Sequence, residues 1–130
     1  MVIYLRNLYI SMSGNEFIKG TLKTIILRLL AQKKHMYGYE ITQRVAQLSN
    51  DEIKLTYGAL YPTLYKLEAE GLLVTTTEVV DNRARKYYSL TAKGRKFAKE
   101  KVSELQRFNQ ILSAILADNP KPDLTFAAWS

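Results

Sequence analysis

The sequence contains no cysteine, a single histidine and a single tryptophan among its 130 residues. A chain without cysteine has no disulfide framework and no thiolate metal site, which is typical of proteins in a reducing compartment. No apolar run approaches the roughly 20 residues that a membrane-spanning helix requires. These absences favour a cytoplasmic protein, and a hydrophobic content of 47% is sufficient for one domain with a modest core.

Residues that could support catalysis are equally scarce. His35, the single histidine, lies in a polar turn where we expect a solvated side chain. Asp51 and Glu52 adjoin one another but are interpreted as turn and capping residues. Because there is also no glycine-rich phosphate loop and no metal-ligand spacing, we predict a protein that is not an enzyme and uses no metal and no cofactor.

The two ends of the chain carry no motif that we can assign. The first residues, MVIYLRNLYI, have no basic start, no long hydrophobic centre and no small-residue cleavage site, so a signal peptide is not expected. We treat residues 1–14 as an N-terminal extension and consider Met12 as an alternative start. Residues 119–130 open with the helix-ending sequence NPKP and form a tail to which we assign no role.

Acidic residues are in the minority, and the net charge is +7. Residues 15–50 contain six basic and two acidic residues, and residues 73–96 contain the same numbers. Residues 51–72 contain two basic and four acidic residues instead. An excess of positive charge favours a polyanionic partner, and here the basic sequences flank the segment 51–72 on both sides.

Residues 56–73, TYGALYPTLYKLEAEGLL, have the pattern of an amphipathic helix that begins after Thr56 and ends at Gly71. Three leucines form its inward face: Leu60, Leu64 and Leu67. The opposite face carries mostly small or flat side chains, which would allow another molecule to approach closely: Gly58, Ala59, Pro62, Thr63 and Lys66. Pro62 also predicts a local kink, because it removes a backbone donor.

Helical periodicity predicts two further helices before this segment, over residues 16–32 and 38–47. Residues 53–55 alternate in polarity and predict a very short strand. After the segment, residues 73–80 and 85–90 predict a β-hairpin around a polar tip at residues 81–84.

Neighbouring tyrosines in the second strand should point to opposite faces of this hairpin. We expect one of Tyr87 and Tyr88 to pack on the core and the other to face a partner or solvent. Three cations crowd the tip and the strand: Arg83, Arg85 and Lys86. They could protect an edge strand from aggregation or bind phosphate, and the other basic sequences favour phosphate.

Thr91 is the expected cap of a long helix that continues to about Asp118. A near-heptad apolar stripe on this helix exceeds what a small domain can cover, so we predict a homodimer, with folding back on the first helix as the alternative. The predicted dimerisation residues are Ala98, Val102, Leu105, Phe108, Leu112 and Ile115.

The order of these elements is that of a winged helix-turn-helix, in which the third helix enters the DNA major groove and the hairpin is the wing. The predicted fold is therefore mainly α with a small β-hairpin: a winged helix domain over residues 15–90 and a C-terminal dimerisation helix over residues 91–118. The residues predicted to contact double-stranded DNA are Lys19, Lys23, Tyr37, Tyr57, Gly58, Ala59, Tyr61, Pro62, Thr63, Lys66, Arg83, Arg85 and Lys86. For Lys19 and Lys23, a solvated helix face is the alternative interpretation.

Three ordered motifs resemble the PadR-like family of transcriptional regulators, and specifically its short type with one C-terminal helix. YGYEI at residues 37–41 resembles the opening of the family's second helix, and GALYP at residues 58–62 with the following leucines resembles its GxLYPxLxxLExxGL signature. RARKYYSLT at residues 83–91 with Gly94 is similar to its wing and the start of its last helix.

The resemblance implies a dimeric bacterial or archaeal repressor that acts in the cytoplasm on a palindromic operator. Members of the family commonly respond to small aromatic or drug-like molecules, and some short members bind planar ligands between tryptophans at the dimer centre. The long helix here carries no tryptophan, so that stacking platform is not transferred. An effector pocket near Phe108 is a hypothesis, with core packing of its ring as the alternative.

Two other functions share this fold or this charge. A winged helix can serve as a protein–protein interaction module without specific DNA binding, and basic charge also suits RNA. The basic wing favours DNA over a protein partner, and nothing in the sequence resembles a base-stacking sheet for RNA.

Overall fold

The computed structural model describes residues 16–118, so our expectations for residues 1–14 and 119–130 lie outside the described residues. Four helices and three strands follow in the order α1 Glu16–Gln32, β1 Met36–Tyr37, α2 Gly38–Leu48, α3 Tyr57–Ala69, β2 Leu73–Val80, β3 Arg83–Leu90 and α4 Ala92–Leu116. The architecture is mainly helical with a small antiparallel sheet and a long last helix, as the sequence predicts.

The core is built around α1, whose apolar residues are spaced so that they cover much of its circumference. Ile26, Leu27 and Leu30 are each at most 2% exposed. Against them pack the inward residues of α2 and α3, with side chains from the sheet: Ile41, Val45, Leu60, Leu64, Leu67, Met36, Leu73, Tyr88 and Leu90. The predicted inward face of α3, with Leu60, Leu64 and Leu67, is thereby confirmed.

The predicted ends of α3 are confirmed in atomic detail. The Thr56 hydroxyl oxygen accepts a hydrogen bond from the Ala59 amide at 3.2 Å, as an N-cap does. At the other end Gly71 adopts a φ of 78°, and the Leu72 amide donates to the Leu67 carbonyl at 3.0 Å. This pairing across a left-handed glycine is a Schellman motif. Pro62 lies inside the helix, which continues past it to Ala69.

The sheet has the strand order β1-β3-β2, with both pairs antiparallel. The hairpin turn consists only of Asp81 and Asn82, whose φ angles are 50° and 62°. Two consecutive positive φ angles match a type I′ turn, which suits the twist of a hairpin. The predicted four-residue tip was therefore wrong, because Arg83 and Ala84 already pair with β2.

The short strand was predicted in the wrong place. The segment 53–55 forms no strand, whereas Met36 and Tyr37 pair with Tyr88 and Tyr87. Two residues give no periodicity to detect, and their partner lies about 50 residues away in the sequence.

This third strand changes the environment of the two tyrosines of β3. Tyr88 is 1% exposed and Tyr87 is 8% exposed, so the expectation that one faces solvent or a partner was wrong. The Tyr87 ring is covered by the rings of His35, 4.4 Å away between centroids, and Tyr37, 5.5 Å away. The expectation of a solvated His35 was also wrong: its Nδ1 is buried and has no hydrogen-bond partner among residues 16–118.

The long helix α4 has two different halves. Its first half packs against α1: Ala98 is 1% exposed and belongs to the core, and Phe97 is half-buried beside it. Its second half exposes apolar side chains, with Phe108 56% and Ile115 68% exposed. The beginning of α4 therefore packs on the first helix, as our alternative interpretation expected. The end of α4 leaves its apolar side chains uncovered in the single chain.

Candidate nucleic-acid interface

The outer face of α3 carries mostly small or flat side chains, as the sequence indicates. We call this surface, formed by Gly58, Ala59, Pro62, Thr63 and Lys66, the bare face. Gly58, Pro62 and Lys66 are exposed, whereas Ala59 and Thr63 are half-buried. The Thr63 hydroxyl donates to the Ala59 carbonyl at 3.1 Å, which leaves its methyl group and the oxygen lone pairs for other contacts. A helix surface of this kind allows close approach to base edges in a major groove.

A cleft of about 620 Å³ lies between this face and α1, and lysines from both helices line it. Lys19 from α1 and Lys66 from α3 line the cleft and are exposed. Lys23 also lines it, but its ammonium group donates to both carboxylate oxygens of Glu70, at 2.9 and 3.1 Å. This hydrogen bond lowers the pKa of Glu70. Lys19 and Lys66 are thus better placed for phosphate than Lys23, which joins α1 to the end of α3.

Three tyrosines follow one another along α3 at intervals of four residues. The ring centroids of Tyr57 and Tyr61 are 5.6 Å apart, and those of Tyr61 and Tyr65 are 6.0 Å apart. Tyr57 and Tyr65 are 51% and 54% exposed, whereas Tyr61 is half-buried. Burial, followed by the neighbouring Tyr57 and Tyr65, raises the pKa of Tyr61. Tyr65 was not among our predicted contacts, although its spacing from Tyr61 would have placed it on this row.

Tyr61 is held by the start of α2. A Cβ atom at Gly38 would overlap the Tyr61 hydroxyl, so this glycine makes room for the ring. Tyr61 therefore has a structural role between α2 and α3, and Tyr57 and Tyr65 present the outer surface of the row.

The basic residues of the wing lie on two different faces. Arg83 is exposed beside the turn. Arg85 places its guanidinium carbon 4.2 Å from the ring centroid of Tyr37, and a hydrogen bond with Tyr87 raises its pKa. Tyr37 thus packs against the guanidinium group of Arg85, and its contact with DNA stays a prediction.

Lys86 lies on the opposite face of β3 and is directed at α3. Its Nζ is 5.5 Å from the ring centroid of Tyr65 and 3.9 Å from Oε1 of Glu68. Arg83 is consequently the exposed cation nearest the tip, and the three cations that the sequence places together do not form one cluster.

The remaining predicted residues lie on α4. Val102 and Leu105 are half-buried and line an apolar groove of about 520 Å³ between α1, α2 and α4. Phe108 does not line this groove, and its ring is exposed together with Leu112 and Ile115.

Within residues 16–118 there is no group of three acidic or histidine side chains that could hold a metal ion. No helix of that range combines the length and apolar character that crossing a membrane requires.

Comparisons with known proteins identify the family. The family described as "Transcriptional regulator PadR-like family" matches residues 26–100. The chain is 31% identical over 106 residues to uncharacterized protein X of Lysinibacillus sphaericus, covering 81% of this chain and 96% of that protein. It is 41% identical over 80 residues to transcriptional regulator Rv3488 of Mycobacterium tuberculosis, covering 62% and 71% respectively.

Solved structures agree with the sequence relatives. A PadR family transcriptional regulator from Eggerthella lenta is 27% identical with a TM-score of 0.67, covering 80% of this chain and 88% of that one. A PadR family regulator from Clostridium difficile is 28% identical with a TM-score of 0.64, covering 75% and 99% respectively. The chain therefore belongs to the PadR-like family of transcriptional regulators and is a DNA-binding regulator of transcription with the winged helix fold.

Proposed function

We propose that this regulator is a homodimeric repressor that binds a palindromic operator in the cytoplasm of a bacterial or archaeal cell. In this proposal α3 enters the major groove, residues 15–90 form the DNA-binding domain and residues 91–118 form the dimerisation helix. The observation that carries the proposal is the bare face of α3 together with nearby cations on α1, α3 and the wing. Lys19 and Lys66 line the cleft beside that face, and the exposed Arg83 and the half-buried Arg85 lie on the wing.

The two kinds of residue have different tasks. Gly58, Ala59 and Pro62 let the helix approach the bases, and Thr63 and Tyr57 supply groups that can contact base edges. The cations neutralise phosphates and set the register of the protein on the duplex without reading sequence. Affinity should therefore depend strongly on salt, because each phosphate contact releases counterions.

Dimerisation supplies the second half of the recognition. The exposed apolar residues at the end of α4, Phe108, Leu112 and Ile115, would be covered by the same helix of a second copy. A two-fold dimer presents two α3 helices to successive major grooves, roughly 34 Å apart, and so selects a palindrome.

Selection of bound fragments from random and genomic DNA at two salt concentrations tests this function. We expect an enriched palindrome whose binding weakens when Arg83 and Arg85 are both replaced by Glu. The matched control replaces Lys99 and Arg107, two exposed cations of α4, by Glu and should retain the enriched motif. Fragments without a common motif, bound equally well by both variants, would contradict sequence-specific binding and favour a protein–protein interaction module.

An effector site at Phe108 is a further part of the proposal, supported by the exposure of this ring within the apolar surface of α4. A planar aromatic molecule could then lie between the two copies. In a thermal-shift screen of such compounds, Phe108→Ala should abolish stabilisation that the unaltered protein shows. A screen in which no compound stabilises the protein through Phe108 would remove this part of the proposal.

A further inference from the structure

The junction between α3 and the wing is built around one lysine. The Lys86 ammonium lies 5.5 Å from the ring centroids of both Tyr65 and Tyr88, within the range of a cation–π attraction. Its Nζ is also 3.9 Å from the carboxylate of Glu68. The same carboxylate accepts a hydrogen bond from the Thr75 hydroxyl at 3.3 Å. Lys86 and Glu68 thus bring together α3, β2 and β3.

The register of the hairpin explains why Lys86 has this orientation. Lys86 pairs with Thr77, and Tyr88 pairs with Thr75, so all four side chains lie on the face that is turned towards the core and α3. Arg83 and Arg85 alternate with them and lie on the other face. A phosphate bound by Arg83 would therefore lie on the opposite face of the hairpin from the Lys86 ammonium group.

Lys86 is also the residue through which this face of the wing contacts α3 farthest towards the tip. Beyond it towards the tip, the next pair on the same face is Val79 and Ala84, and both residues are exposed. The side chain of Lys86 remains 48% exposed, so its stem can pack on the tyrosine rings while the ammonium keeps part of its hydration.

We propose that Lys86, Tyr65 and Glu68 form a joint that sets the position of the wing relative to α3. Lys86 is accordingly a positioning residue for DNA binding, and not a phosphate contact. The inference rests on the proposed function, in which α3 and the wing engage the same DNA. Its physical basis is that a wing held in place loses less conformational freedom when it binds.

Salt-dependent affinity for the selected operator distinguishes positioning from phosphate contact. Lys86→Gln, Tyr65→Leu and the double variant are compared with Arg83→Gln, which removes the same charge from the exposed end of the wing. We expect Arg83→Gln to lower the salt slope by about one. Lys86→Gln and Tyr65→Leu should each weaken binding about two- to fivefold with an unchanged slope, and the double variant should be no weaker than either one. Lys86→Arg keeps the positive charge and should bind the operator as tightly as the unaltered protein.

A measurement without DNA tests the joint itself. Because the chain contains no cysteine, Val79→Cys on the wing and Gln43→Cys on α2 provide two unique sites for spin labels. Labelled protein mixed with an excess of unlabelled protein reports the distance within one chain. We expect a narrow distance distribution that broadens with Lys86→Gln or Tyr65→Leu and stays narrow with Arg83→Gln.

The two measurements separate the possible failures. If Lys86→Gln lowers the salt slope as Arg83→Gln does and leaves the distance distribution narrow, Lys86 is a phosphate contact and the joint is refuted. If the unaltered protein selects no operator, the proposed function fails, and the distance distributions alone then decide whether the joint exists.

Discussion

Gly94 illustrates how much of this structure depends on single atoms. It lies in the first turn of α4, and a Cβ atom there would overlap the carbonyl oxygen of Leu72. The Thr91 hydroxyl accepts from the Gly94 amide at 2.9 Å and donates to the Gly71 carbonyl at 2.7 Å. One threonine therefore caps the start of α4 and satisfies a carbonyl just after the end of α3, which fixes the last helix relative to α3.

The first prediction is that Gly94→Ala destabilises the protein. Backbone atoms of Leu72 cannot move aside as a flexible side chain can, so the free energy of unfolding should fall by about 1–3 kcal/mol. The matched control is Gly20→Ala in α1, because a Cβ there meets nothing within 4 Å. That variant should gain up to about 1 kcal/mol from helix propensity. Urea denaturation of both variants decides, and equal stabilities would refute the close approach at Gly94.

The second prediction concerns the buried hydroxyl of Tyr88. This oxygen has no hydrogen-bond partner within residues 16–118, and burial, followed by the neighbouring Tyr65 and Glu68, raises the pKa of Tyr88 from 10.0 to about 12. The folded state thus holds its proton at pH values where the unfolded state has lost it. The contribution to stability is complete below pH 10 and is lost as the pH rises towards 12.

Tyr88→Phe should therefore show a smaller loss of stability between pH 10 and 12 than the unaltered protein. At neutral pH the variant should be as stable or more stable, since removing an unpaired buried hydroxyl relieves a desolvation penalty. Thermal unfolding across this pH range provides the measurement. A variant that is much less stable at neutral pH would show that the hydroxyl has a partner in solution, such as an ordered water.

At the scale of the element, the helices were predicted well because each carries its own signals. The apolar spacing of α3 and its caps at Thr56 and Gly71 are local features, and the structure reproduces them. The wing was predicted less accurately. Asp81 and Asn82 form the turn without a glycine, so the sequence offered no strong turn signal and the polar residues that follow were mistaken for a longer tip.

The third prediction is that Thr63 reads bases from α3. Thr63→Met places a larger side chain on the face that we propose for the major groove, so the motif selected from random DNA should change at specific positions. Gln43→Met on the exposed side of α2 introduces the same side chain elsewhere on a helix and should leave the motif unchanged. If Thr63→Met selects the same motif as Gln43→Met and the unaltered protein, Thr63 does not lie at the bases.

At the scale of the whole molecule, α4 has two differently packed halves that the sequence does not separate. The heptad-like stripe is continuous in the sequence, yet Ala98 is buried in its own chain and Ile115 is 68% exposed. Only the packing of α1 against the first half of α4 divides the stripe. The exposed end, with Leu112, Leu116 and Phe108, is the part that our proposal assigns to the interface with a second copy.

The fourth prediction is that charge on this exposed end prevents dimerisation. Leu112→Glu together with Ile115→Glu would bury two carboxylates in an apolar interface, which is strongly unfavourable. Sedimentation equilibrium should show a monomer. The control, Gln110→Glu, adds a carboxylate to an exposed position of the same helix, about 160° away from Phe108 on the helix circumference, and should remain dimeric. A double variant that still dimerises would place the interface elsewhere.

The sequence by itself determined the helices, the inward face of α3, the presence of the wing and the family, because periodicity, capping residues and ordered motifs are local. Tertiary structure alone decided the pairing of Met36 and Tyr37 with β3, and with it the burial of Tyr87 and of the Nδ1 atom of His35. It also decided that Lys86 faces α3 while Arg83 stays exposed. The physical reason is the same in each case: the partner of the residue is distant in the sequence, and no local pattern specifies which side chain will cover it.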